Sequence, residues 1–310
     1  MPHDHELRQG LPEGAEPGQG DHGHPAADAG ARGLTRVYGV DFTSAPSRRK
    51  PIAVAVGRLE GDRLTLTALE RLPSLDLFDR ALRVAGPWVA GFDLPFTQSR
   101  TFLDNIGWER DWPAFADRLG RMTRAEFRAA LERYKADRAP GDREHARGYE
   151  KGTGAVSPQK LHGVPVALMQ FEAVPRLRRA GVQVPGLCEG DPSRVALEAY
   201  PGVAARALIG RDPYKSDERA KQTPDRAEAR RRLLACLTGE PGRVRFGLRI
   251  AVPSDWTEDP SGDALDAALC AVQAAWACRL LRDEPGRLQG LDLSEGWIAD
   301  PDVLPRLLSR

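Results

Sequence analysis

Residues 261–286, SGDALDAALCAVQAAWACRLLRDEPG, read as a long helix that is apolar around almost its whole girth, with two acids, Asp263 and Asp266, at its start. A helix without a polar face has nothing to offer water and is packed inside a domain. The segments before it read as strands and helices of the same domain. TRVYGVDF, from Thr35, sets Val37 and Val40 around Tyr38 and ends a strand on Asp41, ahead of the turn-rich TSAPSRRK. PIAVAVGRL and RLTLTAL flank Glu60-Gly61-Asp62 as a hairpin, which makes the opening a three-strand meander. SLDLFDRALRVAG repeats Leu75, Phe78, Leu82 and Ala85 at helical spacing and stops at Gly86-Pro87. PWVAGFDLPF is then a short apolar strand ending on Asp93.

From about residue 97 to 190 the pattern turns to Arg-rich, helix-like stretches joined by Gly-rich loops, read as a helical insertion. VALEAYP follows as a strand carrying Glu198, AARALIG as a short helix, and PDRAEARRRLLACL as a basic amphipathic helix with Ala227, Leu233, Leu234 and Leu237 facing inward. Residues 1–34 hold almost no large apolar side chain, so they read as a disordered tail, with His3, His5, His22 and His24 solvated in it. The remainder, 35–310, is expected to be one domain.

With 45 Lys and Arg against 44 Asp and Glu, the formal charge is +1, which excludes a global basic field; a polyanion would have to meet a local patch. Cys188, Cys236, Cys270 and Cys278 form no C-x-x-C pair, which speaks against structural zinc or a disulfide framework and for a reducing compartment. No stretch approaches the ~20 apolar residues of a membrane helix, and the N-terminus lacks an apolar signal region. A soluble, cytoplasmic protein with no membrane partner is expected.

Ligands of open α/β sheets bind outside the carboxyl ends of the strands. If the Asp93 strand pairs beside the first, Asp41 and Asp93 meet there, and two carboxylates in a partly buried site need a cation such as Mg²⁺ or Mn²⁺. Each Asp has a plainer reading as a turn residue bonding its own backbone. Glu198 lies among apolar neighbours and needs either a metal or a salt bridge, to Arg194 or another Arg. Asp263 and Asp266, three apart, project from one helix face. Otherwise Asp263 is an N-cap and Asp266 a first-turn acid, unless Ser261 caps and frees Asp263.

The order of these elements resembles the RNase H-like fold. YGVDFTSAP, AGFDLPF, SPQ, EAYPG, YKS and DALDAALCAVQAAWA together resemble the predicted nucleases of domain-of-unknown-function family 429, over residues 36–297. The resemblance implies a mixed five-stranded sheet with flanking helices and metal-dependent hydrolysis of nucleic-acid phosphodiesters by a metal pair. It places Asp41, Asp93, Glu198 and Asp263 or Asp266 as catalytic metal ligands. Thr43, Ser44, Gln159, Lys160 and Lys215 would hold phosphate, and the Arg clusters at 176–179 and 230–232 are either a nucleic-acid surface or solvated helix faces. Two other readings stand beside it. A sugar-kinase or actin-like phosphotransferase is disfavoured because Asp41-Phe42-Thr43-Ser44-Ala45 lacks the phosphate-wrapping glycine. The other is a non-catalytic nucleic-acid-binding protein.

Overall fold

A computed structural model describes residues 34–308. The meander forms as expected from β1 (Thr35–Asp41), β2 (Ile52–Glu60) and β3 (Arg63–Leu72), each antiparallel to the next. Gly61, at φ 60°, makes the β2–β3 turn. Helix α1 (Leu75–Leu82) starts where the Ser74 hydroxyl accepts the Leu77 N–H. It buries Phe78 and Leu82 and leads into β4 (Trp88–Asp93), which returns parallel to β1.

The insertion builds α2 (Arg100–Ile106), α3 (Trp112–Arg121), α4 (Arg124–Ala136) and α5 (Val166–Ala180). It closes on the two-residue strand β5 (Val182–Gln183), beside β6 (Asp191–Ala199), which is parallel to β4. After β6 come α6 (Pro201–Ile209), α7 (Pro224–Thr238), α8 (Glu240–Phe246), β7 (Arg249–Ala251), α9 (Asp263–Asp283) and α10 (Leu304–Leu308).

The sheet therefore has seven strands among the described residues, in the order β5-β6-β4-β1-β2-β3-β7, and not five. The two additions are its edges, two and three residues long. Strands that short carry no readable alternation.

Side-chain alternation divides the sheet into two buried faces. Val37, Val89 and Leu197 pack with α9, while Val40, Phe92 and Ala196 pack with Phe78 of α1 and Val174 of α5. Helix α9 has 13 of its 21 residues buried. By length and composition it would suffice to cross a membrane, contrary to the expectation that no stretch would; its apolar surface is spent on the sheet. The expected disordered tail, residues 1–34, lies outside the described residues except for Leu34.

Candidate metal centre

The centre is built from strand register and a close-lying helix. Val40 of β1 pairs with Phe92 of β4, so the next position on each strand places Asp41 beside Asp93 at the carboxyl ends of two central parallel strands. One turn of pleat earlier, Gly39 pairs with Gly91 directly under α9. A Cβ on Gly39 would stand 1.9 Å from the Ala267 carbonyl oxygen, and one on Gly91 2.3 Å from that of Cys270. Only glycine permits this approach, and it carries Asp266, in the first turn of α9, down to the two strand-end acids. One carboxylate oxygen from each of Asp41, Asp93 and Asp266 lies within 4.8 Å of the others.

Asp41 and Asp93 open into a cleft of about 320 Å³, walled by Phe42, Thr43 and Ser44, by Gly163, Val164 and Pro165, and by Lys215, Ser216 and Asp263. Across its rim, Lys50 Nζ pairs with Asp217 Oδ2 at 2.5 Å. Asp266 is fully buried and both its oxygens are engaged: the Tyr214 hydroxyl donates to Oδ1 and Lys215 Nζ to Oδ2. Burial is the largest influence on Asp41 and, with the neighbouring Asp266 and Asp93, pushes its carboxyl well above the usual range against the pull of Lys215. Burial likewise raises Asp93, opposed by Lys215 and reinforced by Asp266 and Glu198, to about 7. The donor set, hard oxygens crowded together and short of positive charge, suits Mg²⁺ or Mn²⁺.

Asp263 lines the same cleft. It does not cap α9: Gly262 is the N-cap, and Asp259 takes up the start of the helix by accepting from Ala264 N at 3.1 Å and from the Ser261 hydroxyl at 2.6 Å. Burial, with Asp259 and Asp266 nearby, raises the Asp263 carboxyl too.

Glu198 is not brought into the triad. In the β4–β6 ladder it pairs with Phe92, while Asp93 pairs with Ala199, so its side chain leaves the sheet on the face opposite Asp93. There Arg147, 1% exposed, donates from Nη1 to Glu198 Oε2 at 2.8 Å and from Nη2 to Oε1, and Phe96 N donates to Oε2 at 2.9 Å. Arg147 also binds Glu150 at 2.7 Å. The salt-bridge reading of Glu198 is the one realised, with Arg147 as partner; Arg194 is taken by Asp191 at 2.7 Å.

The residues expected to hold phosphate divide in the same way. Thr43 lines the cleft; Ser44 lines it too, but its hydroxyl accepts from Arg124 at 3.1 Å. Gln159 is wholly buried and accepts the His145 N–H at 2.7 Å, which makes it a loop anchor out of reach of a ligand. Lys160 lies half-buried near Gly163, which is itself part of the cleft wall. Lys215 is in the site but on an acid. Of the arginine clusters, Arg176 pairs with Asp79 and Glu172, Arg178 with Asp117, Arg231 with Glu228 and Arg232 with Asp212, so these guanidiniums are largely committed within the chain. Tyr214, expected in YKS to help hold phosphate, instead donates to Asp266, and Arg147 was missed as a site-shaping residue. The only advance signal for Arg147 was the need of Glu198 for a cation.

A family model described as "Protein of unknown function (DUF429)" matches residues 39–286, most of the chain, and the protein belongs to that family. No curated protein and no solved structure matches it.

Proposed function

We propose that this DUF429 protein is a metal-dependent phosphodiesterase acting on nucleic acid, with Asp41, Asp93 and Asp266 as the metal ligands. The observation that carries the reading is the convergence of these three carboxylates at the ends of two parallel strands. The arrangement of the long strands, a β1–β3 meander with β4 beside β1 and β6 beyond it, supports the RNase H-like assignment. A divalent ion held there supplies Lewis acidity toward a phosphoryl oxygen and toward water.

The chain's own residues set the geometry. Asp41 and Asp93 are fixed by strand register, and Asp266 is oriented by the Tyr214 hydroxyl, a supporting contact that holds a ligand in place, while the Lys215 ammonium offsets its charge. Thr43 on the cleft wall offers a hydroxyl to a phosphate, and Lys160, beside the wall residue Gly163, an ammonium. Asp263 is available at the rim as an acceptor for a proton. The reading keeps the cytoplasmic setting expected from the cysteines.

The test is a panel of single- and double-stranded DNA and RNA incubated with Mg²⁺, Mn²⁺ or EDTA. Cleavage of at least one substrate is expected with metal and none in EDTA, and Asp41→Asn should lower the rate by more than about 100-fold. Absence of cleavage across the whole panel with either metal would contradict the proposal.

A further inference from the structure

Lys215, with its side chain 45% exposed, is nevertheless fixed by its backbone and by its ion pair to a fully buried acid. The Tyr214 carbonyl accepts from Arg230 Nη1 at 2.9 Å, and the same buried arginine binds the Thr257 carbonyl through Nε at 2.7 Å. The Lys215 carbonyl accepts from Arg226, and Ser216 N donates to the Pro260 carbonyl at 3.2 Å. The segment is thus fastened both to α7 and to the turn entering α9. Gly262, at φ +79°, leaves room for it: a Cβ there would stand 2.6 Å from Lys215 Cβ. All this places one ammonium on the innermost acid of the centre.

We infer that Lys215 stands in for a second metal ion, so that the site takes one divalent cation and not a pair. The inference rests on the metal-binding reading above and replaces the metal pair implied by resemblance. Charge is the first argument. Three carboxylates facing one ammonium fall short by two positive charges, the charge of a single divalent ion. Space is the second. Oxygens on opposite sides of one Mg²⁺ are about 4 Å apart, given Mg–O bonds of about 2.1 Å. The three triad oxygens lie within 4.8 Å of one another, close to that span, so a small contraction brings them onto one ion. A second ion about 4 Å farther on would need carboxylates of its own. Glu198, the acid expected to help supply them, is on the other face with Arg147, which leaves Asp263 alone.

The experiment counts Mn²⁺ bound per chain by calorimetric titration and by electron paramagnetic resonance, in wild type, Lys215→Met and Lys215→Arg, with hydrolysis measured separately. Wild type and Lys215→Arg should bind one ion. Lys215→Met, which keeps the apolar stem and removes the charge, should bind a second ion or hold the first about tenfold more tightly, because a repelling cation beside the site is gone. Its hydrolysis should nevertheless fall. A lysine that merely propped up the loop would weaken metal binding and hydrolysis together when replaced, and that result would overturn the inference. Two ions in wild type would overturn it while leaving the phosphodiesterase reading intact; no ion in wild type would overturn both. The wild-type count and the charge-preserving Lys215→Arg protein decide the matter even if Lys215→Met fails to fold.

Discussion

Gly39 and Gly91 lie side by side in β1 and β4, and helix α9 rests on both of them. Asp41 and Asp93 stand two residues farther along the same strands, so the missing Cβ atoms set the depth at which Asp266 meets them. The acidic triad is in this sense a packing result: the glycines let the helix down, and the helix delivers the third acid.

Gly39→Ala should therefore damage the centre from a distance. Its new methyl would fall 1.9 Å from the Ala267 oxygen and 2.3 Å from the Ala271 nitrogen, backbone atoms that cannot rotate away. Overpacking of this kind costs about 1–3 kcal/mol. Chemical denaturation should show that loss, and the folded variant should bind Mn²⁺ more weakly because Asp266 is lifted. Native metal affinity in a folded Gly39→Ala protein would show that the helix does not set the site.

Much of this arrangement was legible because each acid ends a distinctive run. Asp41 and Asp93 close short apolar strands, and Asp266 opens a helix too apolar to lie anywhere but against the sheet. The phase of Glu198 was not legible. In VALEAYP both faces of the strand are apolar, with Ala196 and Leu197 buried on opposite sides, so alternation cannot say which way Glu198 points. Only its pairing with Phe92 decides, and that register is set by residues about a hundred positions earlier. The same limit hid Arg147 and the grip of Lys215 on Asp266, contacts made across 51 residues in each case.

The metal-free protein should lose stability as pH rises. Burial raises Asp93 to about 7 in the folded chain, and Asp41 is raised as well, whereas unfolded aspartates release their protons near 4. Between those values the folded state keeps protons that the unfolded state has lost, so the unfolding free energy falls with pH, by up to about 1.4 kcal/mol per unit for each such group. The loss begins near pH 4 and levels off above about 7 for Asp93. Melting temperatures in EDTA from pH 4.5 to 8 should trace the decline, and Mg²⁺ should flatten its upper part. Stability rising over that range in EDTA would contradict the assigned burial of the pair.

Arg147 and Glu198 should behave as structure and not as metal ligands. Arg147→Met would leave Glu150 and Glu198 buried without their cation, a loss of about 3–5 kcal/mol. Glu198→Gln should weaken the fold less and leave Mn²⁺ affinity close to wild type, since its oxygens belong to Arg147 and Phe96. Calorimetric titration of the folded Glu198→Gln protein checks this; loss of its metal binding would return Glu198 to the ligand set.

The most direct measurement is the melting temperature of wild type and Asp41→Asn over a titration of Mn²⁺. A ligand that binds only the folded state raises stability by about 2.7 kcal/mol at a hundred times its dissociation constant. The wild-type curve should climb accordingly. Asp41→Asn should begin at or above the wild-type value in EDTA, because one repelling carboxylate is gone, and then stay nearly flat as Mn²⁺ is added. If Asp41 only shaped the turn into Thr43 and Ser44, asparagine would serve as well and both proteins would climb alike; parallel curves would contradict a metal centre at Asp41, Asp93 and Asp266.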